Sequence, residues 1–198
     1  EITVTSGATE ALMAAVMACA QVGDEVIVIE PCYDLYRPAI QLAGARPVSV
    51  GMRAPTEGDP YYRVDWDQVC DAITSRTRVI MVNSPHNPTG TVFTEDDLIA
   101  LETIVHNTGI VIISDEAYEH IVFDGERHLS LASRPALASR TFVVASFGKT
   151  YHITGWKIGY VCAPPALSAE LRKIHQFLVF TVSAPMQVAL AGYMQDVS

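Results

Sequence analysis

Short β-branched runs alternate with longer segments of helical spacing along the chain. ITVT (2–5), 25–30, 46–52, 78–83, 110–114, 141–147 and 157–163 read as strands. Most are apolar throughout instead of alternating, the pattern of a sheet covered on both faces. Between them, 9–22 is rich in helix formers and apolar nearly all round, which predicts a buried helix stopped by Gly23. Helical spacing predicts further helices over 33–43 (stopped by Gly44), 64–73, 95–107, 165–180 and 185–196. Thr94, with Asp97 three residues on, offers an N-cap for the helix that Gly109 closes. Residues 52–63 and SPHNPTG (84–90) read as loops. The expected fold class is α/β: a doubly wound, mostly parallel sheet sandwiched by helices.

Composition narrows the picture. With 198 residues, 49% of them hydrophobic and 18% charged, the chain can bury one large core, and it carries no linker or internal repeat. One domain over 1–198 is expected. The net charge of −9 argues against broad nucleic-acid or anionic-membrane binding. No apolar run reaches the ~18 residues of a membrane span. Cys19, Cys32, Cys70 and Cys162 are scattered and form no CxxC pair, so buried, reduced thiols and a cytoplasmic location are expected. The six histidines make no paired-ligand pattern, and no metal is assigned. Tyr61, Tyr62 and Trp66 form an aromatic cluster expected to serve packing. The first residues lack an initiator Met and begin in a strand, so a piece of a longer protein is expected.

In open α/β sheets, ligands bind beyond the carboxyl ends of the strands. The first exit is SGATEAL. Its small residues Gly7, Ala8 and Thr9 would let a phosphate approach the free N–H groups of a helix start, although Ser6 or Thr9 could equally be an ordinary cap. The second exit carries Tyr33 and the third carries Asn87. At the fourth, Asp115 ends a strongly apolar strand, where a carboxylate is costly to bury without a cationic partner. Tyr118 follows it. At the fifth, Lys149 follows TFVVASFG, and Lys157 lies beside Gly155 and Trp156. A desolvated lysine can form a Schiff base with a carbonyl, although a snorkelling side chain is the plainer reading. Each signal is weak alone. Together, an anion cradle, a flat aromatic, an Asn, an Asp, a Tyr and a Lys are the set that pyridoxal phosphate requires.

SGATEAL, NSPHNPTG, SDEAYEH and SFGKTYHITGWKIGY occur in this order. In this the chain resembles the fold-type I, class I pyridoxal-phosphate aminotransferases, particularly the methionine/aromatic and kynurenine–glutamine-like members. The resemblance implies the large cofactor-binding domain of the aspartate aminotransferase-like fold. It implies that Lys149 forms the Schiff base and moves the substrate proton, and that Asp115 pairs with the ring nitrogen. Asn87 and Tyr118 would bond the phenolic oxygen, and Tyr33 would stack on the ring. Gly7, Ala8, Thr9, Ser146 and Lys157 would hold the phosphate. The Asn87–Pro88 bond is expected to be cis. His152 and Trp156 are expected to pack or support.

The implied partners are an amino acid, a 2-oxo acid and a second copy in a homodimer. Family members are about twice this length, so an N-terminal arm and a C-terminal small domain bearing a carboxylate-clamping arginine are expected outside this stretch. Without them transamination should be poor. A carbon–sulfur β-lyase on the same scaffold, or the effector domain of a transcription regulator, are the alternatives.

Overall fold

The computed structural model describes residues 1–196, so the last two residues of the expected domain lie outside the described residues. In chain order the elements are β1 (Ile2–Thr5), α1 (Gly7–Cys19), β2 (Glu25–Glu30), α2 (Tyr36–Leu42), β3 (Arg46–Gly51), α3 (Trp66–Asp71), β4 (Thr77–Asn83) and α4 (Glu95–Val105). Then follow β5 (Val111–Asp115), α5 (Pro135–Ala138), β6 (Thr141–Ser146), α6 (Phe147–Thr150), β7 (Gly159–Cys162), α7 (Pro165–Leu178) and α8 (Ala184–Asp196). Short 3₁₀ turns lie at Leu131–Ser133 and Thr154–Trp156.

The seven strands form one sheet in the order β1-β7-β6-β5-β4-β2-β3. The β3, β2, β4, β5 and β6 pairings are parallel, and β7 runs antiparallel to both β1 and β6. The apolar strands feed two cores at once. In β2, Val26 and Val28 face one layer while Ile27 and Ile29 face the other; in β4, Val79 and Met81 oppose Ile80 and Val82 in the same way. Ala11, Leu12, Ala15 and Val16 of α1, Ile40 of α2 and Leu171 of α7 cover the first face. Val69 of α3, Leu98 and Leu101 of α4 and Leu137 of α5 cover the second. A polar side chain in such a strand would lose its water on either face, which is why these runs do not alternate.

Several boundaries differ from the sequence expectation. Helix α1 begins at Gly7 and ends at Cys19, before Gly23, because Gln21 N–H turns away to the Asp24 carboxylate and the chain folds back into β2. Helix α2 starts only at Tyr36, since Pro31–Leu35 are spent in the loop after β2. Strand β3 is an edge strand with one face largely exposed, not doubly covered. Strand β6 stops at Ser146 and gives way to a helical turn, and β7 starts at Gly159 because a 3₁₀ turn and a left-handed Lys157 precede it. The Thr94–Asp97 capping box is present.

The four cysteines are free, but none is fully buried as expected: Cys19, Cys32 and Cys162 are half-buried, and Cys70 is exposed because it falls on the outer side of the short α3. Burial pushes the Cys19 thiol up to about 12. The expected aromatic cluster divides. Trp66 packs edge-on against Phe93, whereas Tyr61 is exposed beneath the Arg63 guanidinium. His152 and Trp156 are also exposed, in the turn that leads to β7, and do not pack inside.

Candidate active site

The strand exits converge on one cavity of about 150 Å³. Gly7, Ala8, Thr9, Tyr33, Asn87, Asp115, Tyr118, Ser146, Lys149 and Lys157 all line it, as do Leu12, Ala117, Gly148, Thr154 and Ile158. The ten residues singled out in the sequence therefore meet in one place.

The anion-facing wall is the start of α1. Ser6 occupies the N-cap position, but no side chain caps the helix; the Ser6 N–H instead donates to Glu10. The first-turn N–H groups and the positive end of the helix dipole thus face the cavity. Gly7 adopts φ +76°, and a Cβ placed there would lie 3.4 Å from Lys157 Nζ. The Lys157 amine therefore lies directly over the opening of the helix. Gly159 makes the approach possible. A Cβ there would sit 2.7 Å from the Ala145 carbonyl, 2.8 Å from Gly7 C and 2.9 Å from Ala8 N. Strand β7 and the helix start touch backbone to backbone.

Opposite lies Asp115, at the end of β5 and 6% exposed. The Tyr36 hydroxyl donates to its Oδ2 at 2.7 Å, and the Ala117 N–H donates to Oδ1 at 3.1 Å. Burial raises the Asp115 pKa, and these two neutral donors offset part of the rise. Neither brings a positive charge, so the carboxyl remains electrostatically unmatched. Burial beside Asp115 also raises the Tyr36 pKa well above its ordinary value.

Lys149 sits on the single turn α6, directly after β6. Gly148 lets that turn close against Thr154, whose Cα lies 2.9 Å from where a Cβ would be, and Thr154 Oγ1 donates to the Gly148 carbonyl at 3.1 Å. Lys149 Nζ lies 5.4 Å from the centre of the Tyr118 ring. Tyr118 is itself anchored on either side in sequence. Glu116 accepts from Ser114, from the Leu131 N–H and from His128, while Glu119 accepts from Tyr160 at 3.0 Å.

Asn87 hangs on a loop held by Asn83. The Asn83 amide donates to the Asp115 carbonyl at 2.7 Å, and its oxygen accepts the Asn87 N–H at 2.6 Å. The Asn87–Pro88, Ser84–Pro85 and Glu30–Pro31 bonds are cis.

Tyr36 and Asn83 escaped the sequence reading. Tyr36 repeats Tyr33 at helical spacing and reads as core, and Asn83 reads as a strand end. The available signal was a lone polar group closing an otherwise apolar stretch.

The aminotransferase class I and II family matches residues 1–198. The chain belongs to this family. It is 47% identical over 195 residues to the methionine aminotransferase of Escherichia coli (strain K12), covering 98% of this chain and 49% of that protein. It is 38% identical to kynurenine–oxoglutarate transaminase 3 of Rattus norvegicus, covering 96% of this chain and 43% of that one. The crystal structure of YbdL from Escherichia coli, described as having a methionine aminotransferase function, superposes with a TM-score of 0.94 at 47% identity, covering 98% of this chain and 50% of that chain. The chain thus spans about half the length of the curated relatives it matches. Aminotransferases of this family depend on pyridoxal phosphate. Among the described residues of this family member, no helix is long and apolar enough to cross a membrane.

Proposed function

We propose that this family member transfers an amino group from an amino acid to a 2-oxo acid, with pyridoxal phosphate held in the cavity. One observation carries the reading: the Lys149 amine and the buried, cation-free Asp115 carboxyl line the same small cavity. A pyridoxal ring needs an amine at its aldehyde and an acid at its nitrogen. The fit is further supported by the uncapped start of α1 with Lys157 over Gly7, which suits a phosphate.

When bound, pyridoxal phosphate supplies an aldehyde that takes amines and a protonated ring that draws in electrons. Lys149 Nζ would hold the group through its aldehyde carbon, with the aldehyde oxygen leaving as water. As a free amine, the same nitrogen would take the proton from the substrate α-carbon. Asp115 holds the proton on the ring nitrogen, and its buried setting strengthens that pairing. Asn87 and Tyr118 would donate to the phenolic oxygen, and Tyr33 would stack on the ring. The N–H groups of Gly7, Ala8 and Thr9, the Ser146 hydroxyl and the Lys157 ammonium bind the phosphate.

In this reading residues 1–198 are the cofactor-binding large domain. The similarity to methionine and kynurenine transaminases supports methionine or an aromatic amino acid as donor. The exposed Phe177, Phe180 and Val188 support a homodimer, and the free thiols support a cytoplasmic setting.

The test is an absorbance spectrum on adding pyridoxal phosphate. A visible band that is absent in Lys149→Ala supports the reading. Identical spectra for the two proteins overturn it. Half-reactions with methionine, kynurenine and phenylalanine then rank the donors.

A further inference from the structure

Glu10 and His175 line no part of the cavity, yet they meet behind its anion-facing wall. Glu10 follows Thr9 in the first turn of α1. Its Oε2 accepts the Ser6 N–H at 3.0 Å, and its Oε1 lies 3.1 Å from His175 Nδ1. A carboxylate offers no hydrogen, so Nδ1 carries one and donates. The Glu10 and His175 side chains are only 9% and 13% exposed. His175 stands in the last turn of α7. One turn before it, Arg172 donates to Thr3 Oγ1 at 2.9 Å and to the Ile2 carbonyl at 3.0 Å, which fixes α7 to β1.

A glutamate in a first helical turn is drawn to the free N–H groups and the positive dipole end there. At the start of α1 those same groups face the cavity. A full capping box would also fill them from the N-cap side chain; here Ser6 makes no such bond, and only its N–H is tied back to Glu10. Both Glu10 oxygens are engaged by partners that lie outside the cavity lining. The turn itself is held separately, by Thr5 Oγ1 donating to the Gly7 carbonyl at 3.1 Å. What His175 adds is a second grip on the Glu10 carboxylate.

We propose that His175 is a positioning residue for phosphate binding. Its Nδ1–H keeps the Glu10 carboxylate on the Ser6 N–H, so that the N–H groups of Gly7, Ala8 and Thr9 stay open to an anion. This rests on the proposed function, because those groups matter only if a phosphate lies there.

The test is the dissociation constant of pyridoxal phosphate and of pyridoxal, which lacks the phosphate, each followed by its visible band. His175→Leu and His175→Asn introduce side chains of nearly the same shape, and only asparagine can donate. His175→Leu should bind pyridoxal phosphate about tenfold more weakly than wild type, the loss expected for a hydrogen bond to a charged group. Its affinity for pyridoxal should stay within about twofold of wild type. His175→Asn should bind pyridoxal phosphate within about threefold of wild type. Pyridoxal phosphate affinity of His175→Leu within about twofold of wild type overturns the proposal. So does an equal loss with pyridoxal, which a general packing defect would give.

Should His175→Leu fail to fold, Glu10→Gln with and without His175→Leu decides, since no carboxylate is then left short of its partner. The two should bind pyridoxal phosphate within about threefold of each other, and a larger loss on adding His175→Leu would overturn the proposal. A wild-type protein that binds no pyridoxal phosphate overturns the proposed function itself, and this inference with it. Wild-type binding with an unaffected His175→Leu overturns the inference alone.

Discussion

The hydroxyl of Tyr36 donates to Asp115 Oδ2 at 2.7 Å, joining α2 to the end of β5 across one layer of the fold. A neutral phenol thereby holds the acid in place without cancelling its charge. The carboxyl stays available to a cation that arrives from the cavity.

Removing that phenol should make Asp115 harder to ionise, because the Tyr36 hydrogen bond is the largest influence lowering its pKa against burial. In Tyr36→Phe, the pH below which pyridoxal phosphate affinity falls should move upward. Unfolding in urea should also show a loss of about 1–3 kcal/mol at neutral pH, the usual cost of leaving a buried polar group short of a partner. An unmoved acid limb would remove Tyr36 from the site.

Asp115→Asn should separate stability from binding. The folded pKa of Asp115 is raised, so its stabilising contribution is complete below the unfolded value and is lost as pH rises through the folded one. At neutral pH, without cofactor, the variant should therefore be at least as stable as wild type. Its affinity for pyridoxal phosphate should fall by about tenfold to a hundredfold, because a charge-assisted bond to the ring nitrogen is gone. Calorimetry with and without cofactor measures both.

His86 acts on stability in the opposite direction. Its folded pKa of about 4 lies below the ordinary 6.5, so the unfolded chain binds the extra proton between those values. Its contribution is present above pH 6.5 and is lost as pH falls toward 4, by up to about 3 kcal/mol. The difference in denaturation midpoint between wild type and His86→Gln should therefore change across this window and be level on either side.

Gly159→Ala should be among the most damaging single-methyl additions. Its Cβ would meet three backbone atoms between 2.7 and 2.9 Å away, and backbone cannot swing aside as a side chain can. A loss of about 1–3 kcal/mol, together with weakened phosphate affinity, is expected. Inorganic phosphate competition against the bound cofactor reads the second effect.

The sheet was legible because a strand covered on both faces is apolar on both sides of its pleat, and β2, β4, β5 and β6 each carry an uninterrupted apolar run of that kind. The exits of those strands then pointed to Tyr33, Asn87, Asp115 and Lys149. The backward run of β7 was not legible, since direction leaves no mark on an apolar pattern. Nor was the left-handed backbone of Lys157, at φ 54°, which arises from the turn before it. Tyr36 was hidden for another reason: its bond crosses between elements, and spacing along one element cannot show what an atom meets on another. The exposure of His152 and Trp156 likewise reflects the outward side of that turn.

The reversal of β7 has a consequence for how a bound molecule would leave. Lys149 and Lys157 both belong to the single link between β6 and β7, rather than to separate strand ends. One amine is assigned to the aldehyde end of the pyridoxal molecule and the other to its phosphate. If that link unravelled, both grips would open together, so escape of the vitamin-derived group and loss of reactivity would be the same event.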